Sequence, residues 1–143
     1  MRLFIQLADY AQGGAGQKLN AIGLGWTKTA TPLQAHAVVV MLEPGDEDLG
    51  RRFKFEIRLV DHGGQAVSDG NGVDIAAHME LDVEPEQIDV RVPGLTPIIL
   101  GLDRGLPLEP GIYRWEVTAT DFPETSWHRS FQVLEPGFEI SQP

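Results

Sequence analysis

Hydrophobic and polar residues alternate with a period of two along most of this chain. In residues 53–59 the apolar side chains occupy the odd positions and the charged ones the even positions, and residues 73–82 and 113–120 repeat the pattern. Such alternation is typical of β-strands with one face in a core and one in water. Further strands are predicted at residues 3–8, 19–26, 35–42, 98–102 and 127–134. Residues 44–50 are predicted to hold one short helical turn, so the chain is predicted to be all-β.

Proline-glycine turns separate the predicted strands, and one of them sharpens the prediction of the fold. The turn Pro110-Gly111 leads into a strand through Tyr113. That arrangement resembles the entry to a late strand of immunoglobulin-like domains, where a tyrosine hydroxyl bonds back to the preceding loop. We therefore predict an immunoglobulin-like antiparallel β-sandwich of about seven to nine strands. Residues 1–134 are predicted to form this single domain, and residues 135–143 a C-terminal tail.

Composition limits the function classes. The 143 residues include no cysteine, which excludes disulfides and thiolate metal sites, and the net charge is −10. Phosphates would be repelled by this charge, so neither nucleic acid nor an anionic lipid surface is an expected partner. The first residues lack the long apolar run of a secretory signal, and no stretch approaches the roughly 20 apolar residues of a membrane helix. We expect a soluble cytoplasmic protein that does not bind membranes.

Two segments near the start carry a family resemblance. The segment LADYA at residues 7–11, a glycine-rich spacer and KLNAIGLGWT at residues 18–27 resemble a family of uncharacterised bacterial proteins, mainly actinobacterial, with the motif LADYA…KLNxIGxGW. The segment GIYRW at residues 111–115 is also similar to that family. The resemblance implies a compact single-domain bacterial protein. It implies no activity, so no residue role follows from it.

Gly23, Gly25 and Trp26 form the first candidate site. If residues 19–26 are a strand, the two glycines share one face of it beside the tryptophan. Glycine weakens a strand, so its repetition indicates a close approach by another group. One interpretation is that the ring of Trp115 or Tyr113 packs there, and the other is a small-molecule slot or a contact with a partner.

Asp74, His78 and Glu80 fall in the polar register of one predicted strand. Two carboxylates and an imidazole on one sheet face can bind a divalent metal, although such a row is also an ordinary solvated face. No Gly-x-Ser-x-Gly elbow or other catalytic motif is present. We expect no cofactor and no catalytic residue, and the protein is more readily interpreted as a binding protein than as an enzyme.

Residues 35–42 are apolar on both faces, because Val39 and Met41 stand where alternation would place polar side chains. A strand buried on both sides needs a cover, which a second subunit or residues 84–97 can supply. We therefore predict a non-enzymatic protein-interaction module whose partner is another protein or a second copy, with a homo-oligomer favoured. The alternative is a small-molecule-binding protein or minor enzyme with a pocket near Gly23, Gly25 and Trp26.

Overall fold

The computed structural model describes residues 1–13, 18–84 and 94–137. Within them the chain is all-β, as predicted, with one 3₁₀ turn at Asp46–Asp48 inside the segment predicted to turn helically. The ten strands are β1 Arg2–Ala8, β2 Tyr10–Gln12, β3 Asn20–Ile22, β4 Lys28–Ala30, β5 His36–Glu43, β6 Arg52–Asp61, β7 Ala76–Asp82, β8 Thr96–Leu102, β9 Gly111–Ala119 and β10 Ser126–Leu134. The number of strands exceeds the predicted seven to nine. Three of them, β2, β3 and β4, are short strands of three residues each.

The strands form two large sheets and one hairpin. One sheet has the order β1-β5-β8 and is antiparallel throughout. The other has the order β4-β10-β9-β6-β7, in which β4 runs parallel to β10 and the remaining pairs are antiparallel. Strands β2 and β3 pair only with each other among the described residues. The arrangement is consistent with a β-sandwich.

One hydrophobic core joins the two large sheets. The odd residues of β6, from Phe53 to Leu59, point into it as their alternation predicts. Trp115 and Val117 of β9 and Phe131 of β10 come from the same sheet. The facing sheet contributes Ile5 and Leu7 of β1 and Val38, Val40 and Leu42 of β5.

Two polar contacts fix the ends and edges of this sandwich. The Tyr113 hydroxyl donates to the Glu109 carbonyl at 2.8 Å, which confirms the predicted bond from the strand back to its preceding loop. At the side where β1 approaches β10, the Arg129 Nε donates to the Ile5 carbonyl at 2.8 Å. This second bond links the backbone of one sheet to a side chain of the other.

Two strand predictions were too long. Only Asn20–Ile22 of residues 19–26 is a strand, and β7 begins at Ala76 rather than at Val73, which is exposed in the preceding turn. The Asp69 carboxylate accepts hydrogen bonds from the backbone N–H groups of Asn71 and Val73, so this local turn replaces the start of the ladder. The cover predicted from residues 84–97 lies mostly outside the described residues, as does most of the predicted tail. No helix in the described part is long and apolar enough to cross a membrane.

Candidate functional site

The β2–β3 hairpin folds against the sheet of β1, β5 and β8. The Asp9 N–H donates to the Ile22 carbonyl at 2.9 Å, which ties the start of β2 to the end of β3. Ala11 stands opposite Ala21, both are partly buried, and β2 lies against β5 and β8. The hairpin therefore presents its small side chains to the rest of the protein.

The opposite side of the hairpin is exposed and partly apolar. Tyr10 and Ile22 are directly opposite each other and retain 55% and 66% of their surface exposed. Gln12 and Asn20 form the next exposed pair, and Leu24 in the following turn is 54% exposed. We call Tyr10, Gln12, Asn20, Ile22 and Leu24 the hairpin face. None of its five side chains is charged, in a chain in which 22% of the residues are charged.

Gly23 and Gly25 lie in the turn after β3 and not on a strand. Their φ angles are +66° and +94°, in the region where side chains other than hydrogen are strained. A Cβ at Gly23 would overlap the Asp9 carboxylate. The space beside Gly23 is thus occupied by Asp9 and not by the predicted ring of Trp115 or Tyr113. Binding of a ligand or partner near these residues stays a prediction. The Gly25 N–H donates to the Leu7 carbonyl at 2.7 Å, which anchors the turn to β1.

Trp26 packs into the core rather than lining a slot beside the glycines. Its ring makes edge contacts with His36 and Phe131, with centroid distances of 5.3 and 5.8 Å. Its Nε1 is buried and has no hydrogen-bond partner among the described residues. Trp26 therefore connects the turn that follows the hairpin face to an aromatic cluster between the two large sheets.

His36 is the centre of that cluster, and its role was not predicted from the sequence. It is 4% exposed. Its Nδ1 lies 2.9 Å from the Gln34 carbonyl, and the Trp115 Nε1 donates to its Nε2 at 3.1 Å. Burial lowers the pKa of His36, against the smaller opposing effects of that carbonyl and of Asp9. The sequence did indicate that His36 is buried. Its residue number is even, like those of the inward-facing valines of β5, and alternate residues of a strand share one face.

The two-sided burial predicted for residues 35–42 is confirmed within β5, although Ala35 before it is exposed. Val39, on the side of β5 away from the main core, is 1% exposed within the single chain. It stands between Gln6 of β1 and Ile99 of β8. Met41 is partly exposed and opposite Phe4, which is exposed. A second subunit is thus not needed to cover Val39, and self-association stays a prediction.

Asp74, His78 and Glu80 do not converge into a metal site. Asp74 accepts a hydrogen bond from the Ser68 hydroxyl at 3.1 Å. The His78 Nε2 lies 3.6 Å from a Glu56 oxygen, and Glu80 pairs with Arg52 and Lys54 instead. The described residues contain no group of three or more histidine, aspartate or glutamate side chains placed to hold a metal ion. The row is a solvated face crossed by ion pairs.

The outer face of β6, β7 and β9 has two adjoining shallow depressions of about 520 and 460 Å³ that share Glu56 and His78. Beside them the buried Glu116 carboxylate accepts hydrogen bonds from Arg58 at 2.9 Å and from Arg114 at 3.3 Å. Burial raises the pKa of Glu116, but the hydrogen bonds and charges of the two arginines outweigh it and lower that pKa overall. The charges on this face are largely paired with one another, so the face offers no strong site for an added ion.

Comparisons with protein-family models, with curated proteins and with solved structures gave no match.

Proposed function

We propose that this protein is a non-enzymatic protein-interaction module and that the hairpin face is its contact surface. The observation that carries the proposal is the exposed cross-strand pair of Tyr10 and Ile22, with Leu24 beyond it. Large apolar side chains grouped at the surface indicate an interaction site. Interface centres are poor in charge and rich in tyrosine, which is the composition of this face.

The chemistry of the partner is inferred from charge. The chain carries a net charge of −10, so two copies repel each other over long distance, whereas a positively charged protein is attracted. The hairpin face itself is uncharged and suits an apolar patch on the partner. We therefore infer a partner protein that bears an apolar patch surrounded by lysine and arginine.

The same proposal includes an immunoglobulin-like fold for the module. Its support is the sheet order, with β4 parallel to β10, together with the bond from Tyr113 to the Glu109 carbonyl. We also propose kinship with the uncharacterised bacterial family, on the residues of its motif alone. The two separated halves of that motif, residues 7–11 and 18–27, meet as β2 and β3 in one hairpin.

Differential capture tests the function. Wild-type protein, Ile22→Glu and Val73→Glu are immobilised, and the proteins each retains are identified by mass spectrometry. Val73 is the matched control, because it is an exposed apolar residue outside the hairpin face. A retained protein counts only when it is purified and its affinity is measured by calorimetry. We expect at least about tenfold weaker binding for Ile22→Glu, unchanged binding for Val73→Glu, and weakening of the wild-type complex by salt.

Equal affinity of the purified partner for all three proteins would overturn the assignment of the hairpin face. Native mass spectrometry supplies the other decisive result. A wild-type dimer that Ile22→Glu converts to a monomer would replace the basic partner by a second copy of the chain. A purified partner with no excess of basic residues would also overturn the inference from charge.

A further inference from the structure

The partners of His36 force its ring into one protonation state. The Gln34 carbonyl can only accept a hydrogen bond, so the Nδ1 that lies 2.9 Å from it carries the proton. The indole N–H of Trp115 can only donate, so the Nε2 that lies 3.1 Å from it must be unprotonated. The ring is therefore neutral, and both of its nitrogens are satisfied.

Because His36 begins β5 and Trp115 lies in β9, their hydrogen bond crosses from one large sheet to the other. We propose that this bond is an acid-sensitive connection between the sheets. A proton taken up from solvent binds Nε2 and turns its lone pair into an N–H that faces the N–H of Trp115. Two donors cannot bond to each other, so the two side chains must separate and the aromatic cluster between the sheets must open. This inference is independent of the proposed partner.

The groups that face the ring decide how readily it takes the proton. Asp9, which follows β1, acts in favour of the charged ring, but burial acts against it more strongly. Trp26 and Phe131 pack on the ring and do not titrate. On the inner face of β9, Tyr113 is uncharged in the pH range of the test, and burial raises its pKa further. Among the described residues, Arg129 of β10 also faces inward, and its guanidinium is bonded to the β1 backbone.

Opening of the aromatic cluster would also affect the surface of the protein, through Trp26. Trp26 contacts His36 and directly follows Gly25, which is bonded to β1. A charged His36 would thus loosen the turn at the end of the hairpin, in addition to separating Trp115. We expect protonation of His36 to shift the tryptophan fluorescence emission to longer wavelength before the protein unfolds.

The test compares the pH dependence of stability in wild type and His36→Gln. Glutamine keeps one acceptor for Trp115 and one donor for the Gln34 carbonyl but does not titrate. In the wild type, the unfolded chain binds a proton near pH 6.5 that the folded chain excludes. The unfolding equilibrium constant should therefore rise by up to about tenfold for each pH unit below 6.5, relative to His36→Gln. The exposed His62 supplies the control, since His62→Gln should keep the wild-type profile.

A second measurement does not depend on whether the variant folds. Nitrogen NMR of the His36 ring in the wild type should show the Nδ1–H tautomer at pH 7.5 and titration below pH 6.5. Asp9→Asn should move that titration to still lower pH, because it removes the charge that favours the imidazolium. Parallel stability profiles for wild type and His36→Gln, or a folded-state titration at the ordinary value, would overturn the proposal.

Discussion

Replacing Gly23 by alanine tests how the turn after the hairpin is built. The φ angle of +66° costs a residue with a side chain about 1–2 kcal/mol. In addition, the new methyl group would overlap the Asp9 carboxylate. Overpacking costs about 1–3 kcal/mol, and the exposed Asp9 can rotate away, so we take the lower part of that range. The free energy of unfolding should fall by about 2–4 kcal/mol, measured by urea unfolding followed by tryptophan fluorescence.

The two contributions are separable by a double-mutant cycle with Asp9→Ala. Without the carboxylate the overlap is gone, so Gly23→Ala should then cost only the backbone strain of about 1–2 kcal/mol. Gly70→Ala is the control, because a Cβ there meets nothing within 4 Å and its φ is not positive. It should be neutral or slightly stabilising. A cost for Gly23→Ala that is the same with and without Asp9 would refute the claim that Asp9 fills the space beside the glycine.

Three further substitutions probe the contacts that hold the sandwich. Tyr113→Phe should lower the free energy of unfolding in urea by about 0.5–1.5 kcal/mol, through loss of the bond to the Glu109 carbonyl. Arg129→Met keeps an apolar stem but removes the donor to Ile5, and should cost about 1.5–3 kcal/mol in the same assay. The lowered pKa of Glu116 means that its carboxylate stabilises the fold above about pH 4.5 and that this contribution is lost as pH falls below it. As pH is lowered, the free energy of unfolding should therefore fall less steeply for Glu116→Gln than for the wild type.

The alternation of hydrophobic and polar residues predicted those parts of the fold in which a strand has one exposed and one buried face. Residues 53–59 are the clearest case, since every second side chain enters the core as predicted. The bond from Tyr113 was predictable because it depends on a turn and a strand that are adjacent in sequence. In both cases the physical cause acts between residues that are near each other along the chain.

The glycine turn and the His36 cluster were not predicted, because their causes act over longer separations. Gly23 is fixed by the Asp9 carboxylate, which reaches it only once β2 has paired with β3. The Trp115 indole reaches His36 from 79 residues away, on the opposite sheet. Periodicity reports which face a residue occupies, and it does not report what will stand opposite that face in another sheet.

The orientation of the β2–β3 hairpin is the strongest argument that the hairpin face binds a partner. Stability alone would favour the opposite orientation, with Tyr10 and Ile22 turned inward, because burying such side chains contributes about 1.5–3 kcal/mol each and burying an alanine much less. Yet Ala11 and Ala21 are the residues turned inward. This orientation is held by the bond from the Asp9 N–H to Ile22 and by the turn that follows. An apolar pair that the backbone holds at the surface against this preference is best explained by a partner that covers it, which is why Ile22→Glu is the decisive variant.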